Sequence, residues 1–266
     1  MAPHARSPVA LAGWAAAGLV AGGCAPEPSG APAARGPVPG LSILTYNVNF
    51  EQFSERTVAA IAEARADVVF LQEVTPGFEP ALRAALAAEY ATVLVRPASN
   101  EGGMAVLSRF PVEEVAVLDS PVGRFPAWCL RVDTPLGPID ALHAHLHPPL
   151  DENGLLTGYF TTSEARAAEV EAYLGCFGGP PDLVLGDLNE EAGAAVDRIV
   201  ATGLRDAASA FPPTRRTWTW PTPLGELEGR PDHVFVGPDW RAREVAVLES
   251  GGSDHRPLRV VLGRAP

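Results

Sequence analysis

The chain contains no lysine; all 20 of its basic residues are arginine. That removes Schiff-base chemistry and any phosphate loop built on a lysine ammonium, so bound phosphate must be met by Arg, His, backbone amides or a metal. Basic charge is scarce beside 32 Asp and Glu, and the net charge is −12 at pH 7. A surface of that sign repels polyanions and argues against tight, non-specific nucleic-acid binding. Long apolar runs are missing too. The stretch from Val9 to Val20 falls short of the roughly 20 residues that cross a bilayer. Cysteine is limited to Cys24, Cys129 and Cys176, too few for a disulfide scaffold, and the last two lack the setting of a nucleophile.

What is present begins with a targeting pattern. His4 and Arg6 precede the apolar run, which ends in Ala21-Gly22-Gly23 directly before Cys24. This is the layout of a secretory signal, and it resembles a bacterial lipobox, with Ala21 where leucine is usual. Residues 1–23 are expected to be a lipoprotein-type signal peptide. A lipidated Cys24 would then anchor the protein in the membrane of a bacterial cell envelope; ordinary secretion with cleavage nearby is the alternative. Losing residues 1–23 takes away one arginine and no acid, making the mature net charge −13. Residues 24–40 include five prolines among Gly, Ala and Ser, a composition that favours an extended tether. The folded domain is expected over 41–266. Within it, Cys129 and Cys176 could join as a disulfide in an exported protein or remain two buried thiols.

Short apolar segments alternate with amphipathic ones. Leu41 to Val48 reads as a strand, Glu55 to Arg65 as a helix and Asp67 to Glu73 as a strand, a βαβ opening. A helix over Phe78 to Glu89 leads into five strands ending at Ile139 to His145, and this middle section is expected to be antiparallel. Ser163 opens a helix, a strand follows at Asp182 to Leu188, and a helix lies around Ala194 to Ala201. Strands at Val234 to Val236, Ala242 to Leu248 and Leu258 to Leu262 close the chain. The fold class is α/β (α+β): a four-layer sandwich of two packed mixed β-sheets flanked by helices.

Apolar strands repeatedly run out into a carboxylate, amide or imidazole, at Asn47, Glu73, His145, Asp187 with Asn189, Asp232 with His233, and Asp254 with His255. Buried carboxylates without partners are strongly disfavoured, so this set implies convergence on a metal or on one another. Period-two alternation puts Ile43, Thr45 and Asn47 on one face, Leu185, Asp187 and Asn189 on another, and Val69, Leu71 and Glu73 on a third. Oxygen donors suit a hard octahedral cation such as Mg²⁺, with Mn²⁺ as a substitute. His143, His145 and His147 form a competing candidate, a zinc site on one strand face.

The ordered motifs TYNV at Thr45 to Val48, LQEV at Leu71 to Val74, GGMAVLSRFPV at Gly102 to Val112, AHLHP at Ala144 to Pro148, GDLN at Gly186 to Asn189, PDHVFV at Pro231 to Val236 and SDHRPL at Ser253 to Leu258 resemble those of the endonuclease/exonuclease/phosphatase family. The resemblance implies metal-dependent hydrolysis of a phosphate ester, on nucleic acid or a phospholipid headgroup. It implies Glu73 as principal metal ligand, Asn47 beside it and Asp254 as a further metal-side carboxylate. It also implies that Asp187 and Asn189 orient the water and the phosphate, that His255 pairs with Asp232, and that His145 meets the phosphate or the leaving oxygen. The general base stays open between Asp187 and the His255 pair. No obligate protein partner is implied and a monomer is expected. The alternative is a catalytically silent binding module of the same fold. The segment Thr214 to Pro223, with Arg215, Arg216, Trp218 and Trp220, offers a phosphate clamp or a stacking surface, or else core tryptophans beside solvated arginines.

Overall fold

The computed structural model describes residues 40–266 except 52–53, 151–156, 159–160, 213–214 and 224. The expected signal peptide and the expected tether fall outside the described residues apart from Gly40, as does much of the loop after His147. Among the described residues no helix is long and apolar enough to cross a membrane.

One six-stranded sheet contains β1 (Leu41–Asn47), β2 (Val68–Gln72), β3 (Thr92–Arg96), β4 (Met104–Ser108), β13 (Trp240–Val247) and β14 (Leu258–Arg264), in the order β13-β14-β1-β2-β4-β3. The other contains β5 (Val112–Leu118), β6 (Ala127–Thr134), β7 (Gly137–His145), β8 (Leu183–Asp187), β9 (Arg205–Asp206) and β12 (Asp232–Val236), in the order β5-β6-β7-β8-β12-β9. Both sheets are mixed: β1 runs parallel to β2 and β7 parallel to β8, while the other pairings are antiparallel. The middle strands are antiparallel as expected, but they divide between the sheets after β4.

Alternation along the strands builds the layers. Ile43, Phe70 and Val106 of the first sheet meet Ala141, Leu185 and Val234 of the second in a core between the sheets. The opposite faces bury Leu44, Tyr46, Val69 and Leu71 under α1 (Glu55–Ala64) and α2 (Phe78–Leu86). Leu142, Val184 and Phe235 lie under α3 (Ser163–Tyr173) and α4 (Ala194–Ala201). This is the four-layer sandwich that the pattern implied. Ser54 caps α1 by accepting from the Thr57 amide, which satisfies one of the free donors of the first turn.

The hairpin of β10 (Trp218–Thr222) and β11 (Gly225–Gly229) is absent from the sequence-based expectation. It forms its own two-stranded sheet, joined to the His255 segment by a bridge at Trp218, and buries no apolar face, so its signal is only the alternation in Trp218-Thr219-Trp220 and Glu226-Leu227-Glu228. A second unforeseen feature is a fully buried ion pair, Arg166 Nε to Glu190 Oε2 at 3.0 Å, tying α3 to the segment after β8.

Cys129 in β6 and Cys176 beyond α3 are joined as a disulfide; of the two readings the sequence left open, the bridge is the one formed. It closes a 47-residue separation, and such a cross-link chiefly restricts the unfolded chain. Cys176→Ser should therefore lower the unfolding free energy by about 3 kcal/mol, read as a lower urea midpoint in the variant.

Candidate active site

Asn47, Gln72, His145 and Asp187 end strands that rise from the core between the sheets, and Asp232 opens the antiparallel β12 at the same level. Beneath them lies a neutral polar layer. The Gln72 amide donates to Thr45 Oγ1 at 3.1 Å and to His143 Nε2 at 2.7 Å. Burial, with some repulsion from His145, holds His143 down at about 3, so this ring is uncharged and the layer adds no cation to the core.

Above it, the Asn47 Nδ2 donates to Glu73 Oε1 and to Asp187 Oδ2, both at 2.9 Å. This amide joins the two sheets, since Glu73 follows β2 and Asp187 ends β8. Asn47 Oδ1 accepts from the Asn49 amide, which fixes the side chain in that orientation. Glu73 reaches the site by a route alternation did not foresee. Val69 and Leu71 face the helices, so a regular strand would have turned Glu73 away from the cleft. Its φ of 64° breaks the strand instead and swings the carboxylate back over the sandwich, where Oε2 accepts from the Phe50 amide. Asn189 repeats the device with a φ of 51°: its amide N–H donates to Asp187 Oδ1 and its Nδ2 to the Leu146 carbonyl. Gly186, at φ 134°, lets β8 approach β7 here, because a Cβ would lie 1.8 Å from the Ala144 carbonyl oxygen.

Two histidines face Asp187. His145 stacks on Phe125 at 4.3 Å between centroids, and its Nδ1 lies 3.1 Å from the Glu101 carbonyl. A carbonyl only accepts, so Nδ1 carries the proton. Nε2 points to Asp187 at 3.7 Å and Glu73 at 3.9 Å. His255 places Nδ1 2.9 Å from Asp232 Oδ2 and Nε2 3.6 Å from Asp187 Oδ2. Burial works against its charge, but Asp232 and then Asp187 outweigh it and raise the imidazole to about 10. Burial likewise presses on Asp187, yet His255, His145 and the Asn47 amide keep its carboxyl below the usual range. The pair therefore holds a cationic ring beside an ionised Asp187 at neutral pH.

Six predicted residues thus converge: Asn47, Glu73, His145, Asp187, Asp232 and His255, with Asn189 at the edge. Asp254 stands one step back. Its oxygens accept from Asn49 Nδ2 at 2.7 Å and Trp218 Nε1 at 3.0 Å, so it reaches the centre through Asn49 and Asn47. The three strand histidines do not assemble a zinc site. His143 is spent on Gln72, while His147 has left the strand and contacts the Pro148 carbonyl. His233 is satisfied elsewhere, on Asp206 and the Glu190 carbonyl. Arg215 and Arg216 are paired with Glu249 and Glu191 and form no free clamp.

Glu169 escaped sequence reasoning. Fully buried, it accepts from Ser120 Oγ and from the His147 amide, both at 2.7 Å, and so ties together the loops that carry Phe125 and follow His145. Its only sequence signal is an acid on the helix face that also buries Ala167, Val170 and Tyr173, a face it shares with Arg166.

Asp187, Asp232 and His255 lie at metal-ligand spacing, their ligand atoms within 4.8 Å. His255, however, is doubly protonated and has no lone pair to give, so the oxygens of Glu73, Asn47 and Asp187 fit a hard divalent cation better. No arginine pairs with Glu73 among the described residues, which leaves its charge for such a cation to balance.

Residues 44–255 match the model of the endonuclease/exonuclease/phosphatase family. The chain belongs to this family. It is a hydrolase of phosphoester bonds that depends on a divalent metal. No curated protein sequence matches the chain. Among solved structures it is similar to D. rerio TDP2 complexed with single-strand DNA product, at TM-score 0.66 and 18% identity over 84% of this chain and 99% of that one. The human Nocturnin catalytic domain with bound sulfate matches at TM-score 0.59 and 18% identity, over 86% of this chain and 96% of that one. A family protein from Bacteroides thetaiotaomicron matches at 0.57 and 19%, over 84% and 97%. At these identities the likenesses concern the fold.

The raised proton affinity of His255 depends on the Asp232 charge. In Asp232→Asn the imidazole titration, followed by NMR, should fall from about 10 toward the ordinary histidine value, while circular dichroism stays native. An unmoved titration would mean that Asp187 alone sustains it.

Proposed function

We propose that the protein is an exported phosphodiesterase that cleaves a P–O bond by in-line attack of water. The observation that carries this reading is the meeting, at one end of the sandwich, of a carboxylate and amide suited to a cation with an ionised Asp187 and a cationic His255. Glu73 and Asn47 would hold Mg²⁺, or Mn²⁺ in its place, with Asp187 alongside. Bound there, the metal supplies Lewis-acid charge to the phosphoryl oxygens. Asp187 is the remaining unprotonated acceptor between the two imidazoles, and it orients the attacking water and takes its proton. His255, already protonated, stabilises negative charge on the equatorial oxygens. Asp232 keeps that ring oriented and charged. His145, fixed by Glu101 and Phe125, turns Nε2 to the phosphate and, in its imidazolium form, gives the Nε2 proton to the leaving oxygen, while the proton that Asp187 takes from water passes to solvent. Asn189 holds Asp187 in place through its backbone amide, and Asp254 steadies Asn47 through Asn49. No covalent enzyme intermediate is needed.

The substrate class is a nucleic-acid or phospholipid-type diester. The acidic surface favours small or lipid phosphates over long DNA, and the single-strand DNA bound by a similar protein keeps oligonucleotides in the set. The Cys129–Cys176 disulfide supports export, because such bonds persist in oxidising compartments. Anchoring through a lipidated Cys24, a domain beginning at residue 41 and a monomeric state complete the reading.

Turnover of an aryl phosphodiester should appear with Mg²⁺ or Mn²⁺ and vanish in EDTA. His255→Ala should lower kcat by about 10²- to 10⁴-fold, the range for loss of a transition-state charge partner or acid–base group. Absence of turnover with every metal would return weight to the binding-module reading, and zinc-only activity would sink the ligand assignment. Separately, Cys24→Ser should move the protein from the membrane to the soluble fraction of a bacterial host; unchanged partitioning would end the lipoprotein reading.

A further inference from the structure

Phe125 and Glu101 grip His145 from one side, and the residues next to them in sequence line a cavity of about 240 Å³. Arg124 and Pro126 bracket Phe125, and Gly102 follows Glu101. Arg96, at the end of β3, and Asn100 complete its polar lining. The cavity opens at the edge of the sandwich where β3 and β4 face β5 and β6.

Its charge is unusual for this protein. In a chain with 32 acids, no carboxylate lines the cavity while two guanidinium groups do. The Arg96 guanidinium is spoken for: its Nε donates to Glu114 at 2.9 Å and the group lies 5.4 Å over the Trp128 ring. Arg124 is exposed and makes no ion pair or hydrogen bond. Asn100 turns its carbonyl oxygen to the Gly102 amide, which leaves its NH₂ free to donate. The cavity thus combines one uncommitted cation with one uncommitted donor, on segments that also carry the residues gripping His145.

We propose that this cavity is a subsite for a second phosphate group of the substrate, one unit removed from the scissile diester and bound by Arg124 with help from Asn100. The proposal rests on the phosphodiesterase reading. It gives the acidic protein a localised means of selecting diesters that carry a further phosphate, without a basic surface that would gather polyanions. A charge-assisted contact between guanidinium and phosphate is the strongest recognition available to a chain without lysine.

The test compares matched substrates on the full mature protein: dithymidine monophosphate with and without a 5′-phosphate, and glycerophosphoinositol with and without a 4-phosphate. In the wild type, the extra phosphate should lower KM about tenfold in at least one pair, as one charge-assisted hydrogen bond allows; the responding pair tells whether nucleotide or lipid headgroup is the source. Arg124→Ala should erase that preference while leaving kcat and the KM of the unphosphorylated partner unchanged, and Arg124→Lys should restore part of it. No preference in either pair, or a preference that survives Arg124→Ala, overturns the subsite. If the wild type hydrolyses nothing, the hydrolase reading has failed, and calorimetric titration of pyrophosphate in EDTA then decides the subsite. Binding weakened about tenfold in Arg124→Ala upholds it, and equal binding in both proteins overturns it.

Discussion

Two carboxylates, one from each sheet, are brought to the same amide. The arrangement of Asn47 between Glu73 and Asp187 is the constraint to which the rest of the site answers, because like charges at that separation and burial repel unless something positive or hydrogen-bonding lies between them. On the Asp187 side the answer is two imidazoles, one held cationic by Asp232. On the Glu73 side it is an amide N–H, the Phe50 amide and the place for a cation. The site is therefore asymmetric in charge, and that asymmetry separates the part that holds metal from the part that handles protons.

The layer below makes this charge arrangement tolerable. Thr45, Gln72 and His143 are polar yet neutral, and they stand between the ionised groups and the apolar core of Ile43, Phe70 and Leu185. Apolar residues packed directly under Asp187 would leave its charge facing hydrocarbon, whereas a second ionised layer would compete for the same partners. A histidine kept uncharged by burial serves here as a neutral hydrogen-bonding group. The same imidazole, two residues further along β7 at His145, turns its free nitrogen to the site. Depth along one strand face separates the two roles.

Much of this was legible in the sequence. Strands announce themselves through local alternation, and the motifs mark strand ends, so the two sheets and the six converging residues could be read without coordinates. What stayed hidden depends on non-local or non-repeating geometry. The turn of Glu73 into the cleft rests on a left-handed φ that no period records, and alternation alone places that carboxylate on the wrong face. Glu169 resembles any helix acid until Ser120 and His147 are seen around it. The bond between Cys129 and Cys176 needed a 6.6 Å approach of their Cα atoms, which neither segment reveals. The hairpin of Trp218 and Trp220 lacks a buried side, and burial is what gives strands their signature.

The order of strands in the first sheet has an outcome for how the molecule comes into being. β14 lies directly beside β1, and Asn49 is bonded to Asp254, 205 residues away. The first and last strands of the domain are neighbours, so the wall against which β1 and its asparagine are set exists only once β14 is in place, and a chain lacking that strand would leave the centre open on one side.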